Sequence, residues 1–355
     1  MDMSSLRIGA AVAAMLLAFW GTAQETTSAQ QSDLYSELQT KLSLMPQING
    51  TIRAKYEYEP QIEKGRFEVR NARLSVTGRV IPSVVYKAEI DLSDEGAIKM
   101  LDAYVRYRPD RWSVTIGQMR VPFTIDAHRS PHQQYFANRS FIAKQVGNVR
   151  DVGLAASWLP IDSKNLAWTI EGGLFNGSGL TDQKDYWTDA YNFSLKTYAT
   201  VCRCITLEMS CQKTRPEAVD IMMWDAGGYF DDGLWHIEGE YLRKCYRHGA
   251  FPAVDAWDAF AAYRFPLKGN LRGISVLGRY DYMSNHSNGV ANDEGFLYVN
   301  DPARHRATGG VTLHFGEKKL WADIRINYEK YFYRASATES ESGRDKFVVE
   351  VVARF

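Results

Sequence analysis

The chain has 355 residues, and Lys plus Arg balances Asp plus Glu at 42 each, so its formal net charge is zero. This balance gives no global preference for nucleic acid or for an anionic surface. A mean hydropathy of -0.34 with 24% charged residues is too polar for a helical membrane protein, yet 13% of residues are aromatic, more than an ordinary soluble domain carries. A transmembrane β-barrel with aromatic girdles and a polar lumen explains both values.

The first segment predicts export. Residues 1–23 are typical of a signal peptide: Arg7 precedes an apolar stretch at 8–20, and Gly21-Thr22-Ala23 provides a small-residue cleavage site. That apolar stretch is shorter than the ~20 residues of a spanning helix. Residues 24–44 are polar and predict a periplasmic linker, so we expect the barrel to occupy residues 45–355.

Residues 47–59 alternate with period two and predict the first strand. Ile52 and Tyr56 share one face, and Arg53 and Lys55 share the other. A one-residue slip would turn Arg53 and Lys55 toward lipid, at about 2–4 kcal/mol each near the midplane. The alternation therefore predicts basic side chains in the lumen.

The same pattern predicts fifteen further strands, although Cys202-Arg-Cys204 and Met222-Met-Trp224 blur it in the centre. They are expected at 71–80, 86–92, 102–108, 112–120, 151–159, 166–176, 189–199, 203–212, 218–230, 233–243, 255–265, 273–283, 305–316, 319–332 and 344–355. The last strand ends at Phe355 on its apolar face. In barrels of this kind the final aromatic resembles the signal read by the barrel-assembly machinery, so Phe355 is predicted to be an assembly signal.

The connections alternate in length along the chain. Short ones are expected at 81–83, 109–111, 160–165, 231–232 and 317–318, and long ones at 121–150, 177–188, 244–254, 284–304 and 333–343. Outer-membrane barrels have short periplasmic turns and long external loops. The fold class predicted is therefore all-β, a transmembrane antiparallel barrel of about sixteen strands around an aqueous channel in the outer membrane of a Gram-negative bacterium.

The connection 121–150 is the candidate functional loop, since about thirty residues without a period of their own are unusual in a compact protein. We expect it to fold into the pore. With Arg120 it brings bases against one acid, Asp126, and His128 and His132 are expected to add charge below neutral pH. The predicted constriction residues are Arg120, Arg129, Arg139, Lys144 and Arg150. A solvated external loop whose bases meet lipopolysaccharide phosphates is the alternative.

Basic residues suit a constriction because an anion that sheds water needs compensating donors, and Arg and Lys supply them. Inward parity adds six pore-lining candidates: Arg53, Lys55, Arg73, Arg79, Lys87 and Arg106. Acids expected to share that lumen would oppose an anion. They are Glu57, Glu89, Asp91, Asp102 and Asp281.

Ordered sequence blocks carry a family resemblance. They are Gly117-Gln-Met-Arg-Val-Pro-Phe123, Arg139-Ser-Phe-Ile-Ala-Lys144, Arg150-Asp-Val-Gly153, Phe175-Asn-Gly177, His236-Ile-Glu-Gly-Glu-Tyr241, Gly278-Arg-Tyr-Asp-Tyr282 and Ile326-Asn-Tyr-Glu329. Together they resemble the phosphate-selective porin O and P family. The resemblance implies a sixteen-stranded porin, usually trimeric, whose third external loop narrows the channel and whose basic lumen favours anions. Met119 and Arg120 stand where the family pattern has Phe and Lys.

The function predicted is passive diffusion of small anions, phosphate or similar, through an outer-membrane porin that is not an enzyme. Its partners would be anionic solutes, outer-membrane lipid and lipopolysaccharide, the barrel-assembly machinery and two further copies in a homotrimer, with no nucleic acid, cofactor or metal.

Three alternatives stay open. A general or sugar/peptide-selective porin would use an aromatic track, for which the candidates are Tyr104, Tyr186, Trp187 and Trp224. A non-conducting barrel is the second. A barrel enzyme would need a nucleophile with a positioned base, but no Gly-x-Ser-x-Gly turn occurs and the proximity of Ser140 to His132 in sequence is taken as coincidence.

The four cysteines predict no zinc site and leave one disulfide open.

Overall fold

The computed structural model describes residues 44–94, 97–143, 150–180, 183–216, 219–287, 289, 296–317, 320–333 and 343–355. The predicted signal peptide, the predicted linker up to residue 43, and Lys144 lie outside these residues. Within the described part of the chain, no helix has the length and apolar character needed to cross a membrane.

Sixteen antiparallel strands form one closed barrel, in which each strand pairs with its neighbours in sequence and β1 pairs with β16. This confirms the predicted fold class. The strands are β1 Gln47–Glu59, β2 Lys64–Ile81, β3 Val84–Asp94, β4 Ala97–Tyr107, β5 Trp112–Arg120, β6 Arg150–Asp162, β7 Leu166–Phe175, β8 Asn192–Val201, β9 Ile205–Thr214, β10 Ile221–Asp231, β11 Trp235–Tyr246, β12 Val254–Pro266, β13 Leu271–Met283, β14 Arg304–Glu317, β15 Leu320–Tyr333 and β16 Lys346–Arg354.

Side chains alternate between the two faces of the barrel wall as the sequence predicts. On β1, Arg53 and Lys55 are buried in the lumen, whereas Ile52 is 46% exposed on the outer surface. The register places Lys55 opposite Glu350 on β16, so the seam joins opposite charges on the lumen side. The outer apolar surface faces lipid, and the charged face is confined to the interior.

The two ends of the barrel differ. At the end that carries both termini of the barrel, the turns between strands span two to four residues, as at 82–83 and 108–111. At the other end the connections include 121–149, 176–191 and 284–303. The third connection at that end, residues 121–149, is called the pore loop below.

Two predicted boundaries, the start of one strand and the position of one turn, are wrong. The strand expected at 71–80 is β2, which begins at Lys64. The turn expected at 200–202 lies at 202–204, because Cys202 and Arg203 adopt left-handed backbone angles, with φ of 49° and 61°. This turn conformation leaves no mark on the apolar/polar alternation. All four cysteines are free thiols.

The barrel closes at Phe355. Its backbone N–H donates to the Gly50 carbonyl at 3.1 Å, and the Gly50 N–H donates back at 2.6 Å. The Phe355 ring lies over Gly50, where a Cβ would overlap the ring. Glycine at position 50 therefore provides the seat for the terminal aromatic.

We predict that Gly50→Val impairs barrel closure, because the added side chain displaces the Phe355 ring at a cost of about 1–3 kcal/mol. The measurement is the yield of heat-modifiable, folded barrel. Gly309→Val is the matched control, since Gly309 also faces outward on a strand and a Cβ there has no neighbour within 4 Å. Equal yields for the two variants would contradict the role of the Phe355 seat.

Candidate constriction site

The pore loop is held inside the lumen by polar side chains from facing walls. Arg53 on β1 donates to the carbonyl of Ala137 at 2.8 Å, and Lys196 on β8 donates to that of Thr124 at 3.0 Å. From β14, Arg306 donates to the Arg139 carbonyl at 2.8 Å. These three loop carbonyl groups do not belong to a β-strand, and the side chains of the wall donate the hydrogen bonds that they need.

Apolar contacts fix the same loop. Phe123, Phe141 and Ile142 are almost fully buried and share one cluster with the inward-facing Leu242 and Met283. Apolar residues on the lumen side depart from the usual alternation, and this loop covers them. Burial of such side chains typically stabilises by about 1.5–3 kcal/mol each, so the loop is a packed element of the barrel.

Two of the predicted constriction arginines converge on one stretch of the loop. Arg120 donates from one nitrogen to the carbonyls of Ala127 and Arg129, at 3.0 and 3.3 Å, and Arg139 donates to those of Asp126 and Arg129, at 2.5 and 2.9 Å. In the part of the chain that the structure describes, neither guanidinium has a carboxylate within ion-pair distance. Backbone carbonyl dipoles therefore solvate both guanidinium groups, and Arg139 is in addition attracted by the carboxylate of Asp126.

The register brings a further cation to this place. Arg120 lies directly opposite Arg150 across β5 and β6. The left-handed Gly117, with φ of 125°, precedes this pair, and a Cβ there would collide with the Ala103 carbonyl. Like charges opposite each other are normally destabilising. Arg150 is compensated, since it contacts Asp102 at 2.7 Å and Glu89 at 3.3 Å.

Arg129 and Lys144 do not join this group. Arg129 forms a two-pronged ion pair with Glu238 on β11 and lies over the rings of Tyr135 and Phe260. It thus anchors the loop to the far wall. Lys144 lies outside the described residues and stays a prediction.

The pore-lining candidates differ in their partners. Arg53, Lys55, Arg73 and Lys87 each pair with a carboxylate: Arg53 with Glu350 at 2.6 Å, Lys55 with Glu57 at 2.6 Å, Arg73 with Asp91 at 2.9 Å and Lys87 with Asp102 at 2.6 Å. Arg106 instead donates to the Thr115 hydroxyl at 2.8 Å. Arg79 is exposed and has no ion pair in the described ranges.

The acids expected to oppose an anion are all neutralised by bases. Glu57 is paired with Lys55 and Arg66, and Glu89 with Lys87, Arg73 and Arg150. Asp91, Asp102 and Asp281 likewise contact arginines within 3 Å. Carboxylates held in this way exert little net field on a passing ion, whereas Arg120 has no ion-pair partner among the described residues.

A cavity of about 460 Å³ runs between the pore loop and the β3–β8 wall. Five cationic side chains and three acids border it: Lys87, Arg106, Arg108, Arg111 and Arg120 against Asp102, Asp110 and Glu171. Of the predicted aromatic track only Tyr104 reaches this cavity. Trp224 faces outward on β10, and Trp187 is 92% exposed, so the track is not formed.

The loop histidines do not behave as expected. Burial, reinforced by Lys196 and Arg120, lowers the pKa of His128 to about 3. Burial and the adjacent Arg354 and Arg325 lower the pKa of His132 to about 3 as well. The expectation that these side chains gain charge just below neutral pH is wrong, because a proton there would meet arginines already in place.

Residues that the sequence did not single out hold the loop. Glu240 on β11 accepts the N–H groups of Ile125 and Asp126, at 2.5 and 3.3 Å. The Asn327 side chain accepts the N–H of Ala137 at 2.8 Å. Both residues lie on strands far from the loop in sequence. The apolar/polar alternation predicts only that their side chains face the lumen. It does not distinguish a side chain that anchors the loop from one that is solvated.

Comparison with protein families supports the class. The family model for phosphate-selective porin O and P matches residues 47–201, which confirms the sequence resemblance over that part. An uncharacterized protein of Caulobacter vibrioides is 30% identical over 108 residues, 30% of this chain. The match spans 21% of that relative's length.

Solved structures share the fold at low identity. Salmonella typhi OmpF in complex with daunomycin has a TM-score of 0.62 at 9% identity, with 88% of this chain and 98% of that one covered. The anion-selective porin of Comamonas acidovorans gives 0.58 at 11%, covering 87% and 98%. The trimer form of Vibrio cholerae OmpT gives 0.58 at 12%, covering 88% and 98%. Together with the family match over residues 47–201, these neighbours indicate a porin-like barrel of the Gram-negative outer membrane.

We predict that His128 and His132 contribute no change in ion preference between about pH 8 and about pH 5, since both stay neutral until the pH approaches their depressed pKa of about 3. Reversal potentials across a salt gradient, recorded at several pH values, measure this. A rise in anion preference within that window that His128→Gln or His132→Gln removes would contradict the assignment.

We predict that Glu240→Ala loosens the pore loop, because the side chain that accepts the N–H groups of Ile125 and Asp126 is lost, at about 0.5–1.5 kcal/mol per hydrogen bond. Single-channel recordings should show larger and noisier conductance. Asp91→Ala is the control, since it removes a lumen carboxylate that does not border the ion path and whose hydrogen bonds come from Asn71, Ala72, Arg73 and Ser93 rather than from the loop. Indistinguishable recordings for the two variants would show that Glu240 does not hold the constriction.

Proposed function

We propose that this porin forms a water-filled channel for passive diffusion of small anions, with phosphate or similar oxyanions as its substrates. The observation that carries the proposal is the placement of Arg120. Its guanidinium borders the cavity beside the pore loop, lies opposite Arg150, and is solvated by loop carbonyls without a carboxylate partner among the described residues.

An uncompensated guanidinium suits this task for a physical reason. An anion that enters a narrow passage loses hydration, and the planar donor fork of Arg replaces those hydrogen bonds. Conduction also requires weak binding at several positions. Arg120 and Arg106 offer separated positions along the same cavity, so an anion is handed on rather than trapped.

The pore loop makes the distribution of charge around the passage more asymmetric. Glu238 and Glu240 on β11 are occupied by Arg129 and by loop N–H groups, and thus lie behind the loop as seen from the passage. Because fields of exposed charges are screened over roughly 8 Å in physiological salt, carboxylates behind a packed loop act less on the ion than Arg120 does. A neutral chain can therefore favour anions locally.

The remaining partners belong to the same proposal. We infer a homotrimer embedded in outer-membrane lipid and lipopolysaccharide and inserted by the barrel-assembly machinery, with Phe355 as the assembly signal. A trimer form is described for Vibrio cholerae OmpT, and the Comamonas acidovorans porin is described as anion-selective. Both shared folds support the proposal.

We predict that Arg120→Glu reduces the anion-to-cation permeability ratio by about tenfold, equivalent to about 1.4 kcal/mol for a two-charge change near the ion path. Reversal potentials in asymmetric KCl measure the ratio, and block by phosphate at millimolar concentration measures binding. Arg120→Lys should retain the preference while weakening phosphate block.

Arg79→Glu is the matched control, because it makes the same charge change at an exposed inward position away from the loop. Equal effects of the two substitutions would move selectivity from the loop to the overall field of the lumen. Cation preference in the unmodified channel would overturn the anion proposal and favour a general or sugar-selective porin, and a silent bilayer would favour a non-conducting barrel.

A further inference from the structure

A second cavity lies on the other side of the pore loop, toward the short-turn end of the barrel. Its volume is about 310 Å³, and its walls include the loop segment 132–135, the β10–β11 turn and inward residues of β12 to β15. The ion path proposed above follows the β3–β8 wall and leaves this cavity unused.

Three side chains bordering this cavity form a continuous hydrogen-bonded relay. Ser275 on β13 has its hydroxyl 2.8 Å from Nε2 of His314 on β14. Nδ1 of the same imidazole lies 2.8 Å from the carboxylate of Asp323 on β15. Among the described histidines, His314 is the one whose two ring nitrogens contact an acid on one side and a hydroxyl on the other.

The register explains why these residues meet. His314 lies directly opposite Asp323 across β14 and β15, and Ser275 lies opposite Thr312, two residues from His314 on the same face. All three side chains project inward, so the wall itself fixes their geometry. A carboxylate that accepts Nδ1–H leaves Nε2 as the acceptor for the serine proton, which is the arrangement of a serine nucleophile with its base.

Groups able to stabilise an oxyanion flank Ser275. Arg264 lies directly opposite it on β12, borders the cavity, and has no ion pair in the described ranges. Its Nε lies beside Gly273, at 3.0 Å from the position that a Cβ on this glycine would occupy. On the other side, the buried Thr312 hydroxyl has no hydrogen-bond partner among the described residues. Donors aimed at developing negative charge are the main requirement of acyl transfer after the nucleophile.

Part of the lining of this cavity is apolar. Ala262 and Leu277, 6% and 5% exposed, lie opposite each other on β12 and β13 and belong to a cluster with Phe136 and Phe260. Leu277 is two residues from Ser275 on the same face.

We propose that Ser275, His314 and Asp323 form a hydrolytic site for small carboxylic esters, opening at the short-turn end of the barrel. Ser275 Oγ attacks the ester carbonyl as its proton passes to His314 Nε2. The ester C–O bond breaks, the leaving alcohol takes that proton, and an acyl-Ser275 remains. Water then attacks the acyl group, gives a proton through His314 back to Ser275 Oγ, and releases the carboxylic acid.

Covalent labelling tests the nucleophile. The full-length, detergent-folded protein is treated with a fluorophosphonate, whose fluoride Ser275 Oγ displaces, and the adduct is mapped by peptide mass spectrometry. We expect the label on Ser275, its loss in Ser275→Ala, and labelling slowed about 100-fold in His314→Gln. Ser113→Ala is the matched control, since Ser113 is as buried as Ser275, at 8% exposure, and has no histidine partner in the structure described.

Hydrolysis of p-nitrophenyl acetate and p-nitrophenyl palmitate tests the substrate class. We expect turnover of the short ester and loss of turnover in Ser275→Ala and in His314→Gln, while heat-modified gel migration shows that each variant folds. Labelling of Ser113 equal to that of Ser275, or ester hydrolysis unchanged in folded Ser275→Ala, would overturn the proposal and leave the relay as a structural hydrogen-bond network.

Discussion

The closed hydrogen-bonded ladder is the constraint on which the other features of this protein depend. In lipid, each unpaired backbone group costs several kcal/mol, so the sixteen strands must form a ring without an edge, and β1 pairs with β16. Ring closure sends every second side chain inward. The lumen thus receives a set of charged groups whose positions are fixed by register, and the functional question becomes which of them are compensated.

Compensation divides the lumen into two sides. Most wall arginines and lysines lie within ion-pair distance of acids, as Arg53 does with Glu350 and Arg306 with Asp281. These pairs fasten the pore loop and contribute little net field. Arg120 is different because backbone carbonyls are its partners, so positive charge remains beside the passage while the acids of β11 are covered by the loop.

The sequence predicted well which side chains face the lumen, but it predicted poorly which side chains pair with one another. Period-two alternation placed Arg53, Lys55 and Arg73 in the lumen, because a slip would put charge into lipid. It did not indicate that all three are neutralised, since the acids that pair with them come from other strands and from register. The same limitation hid Glu240 as a loop anchor. The relay of Ser275, His314 and Asp323 was invisible for a related reason, because no local motif marks residues that meet only across three strands.

By itself the amino-acid sequence determined the class, a sixteen-stranded outer-membrane barrel with short turns at one end, because alternation, turn residues and loop lengths are local properties of the chain. It also indicated the long basic connection and the resemblance confirmed over residues 47–201. Only the tertiary structure decided which bases stay uncompensated, which wall the loop packs against, and which polar side chains meet in each cavity. Those outcomes depend on strand register and on distances between residues far apart in sequence.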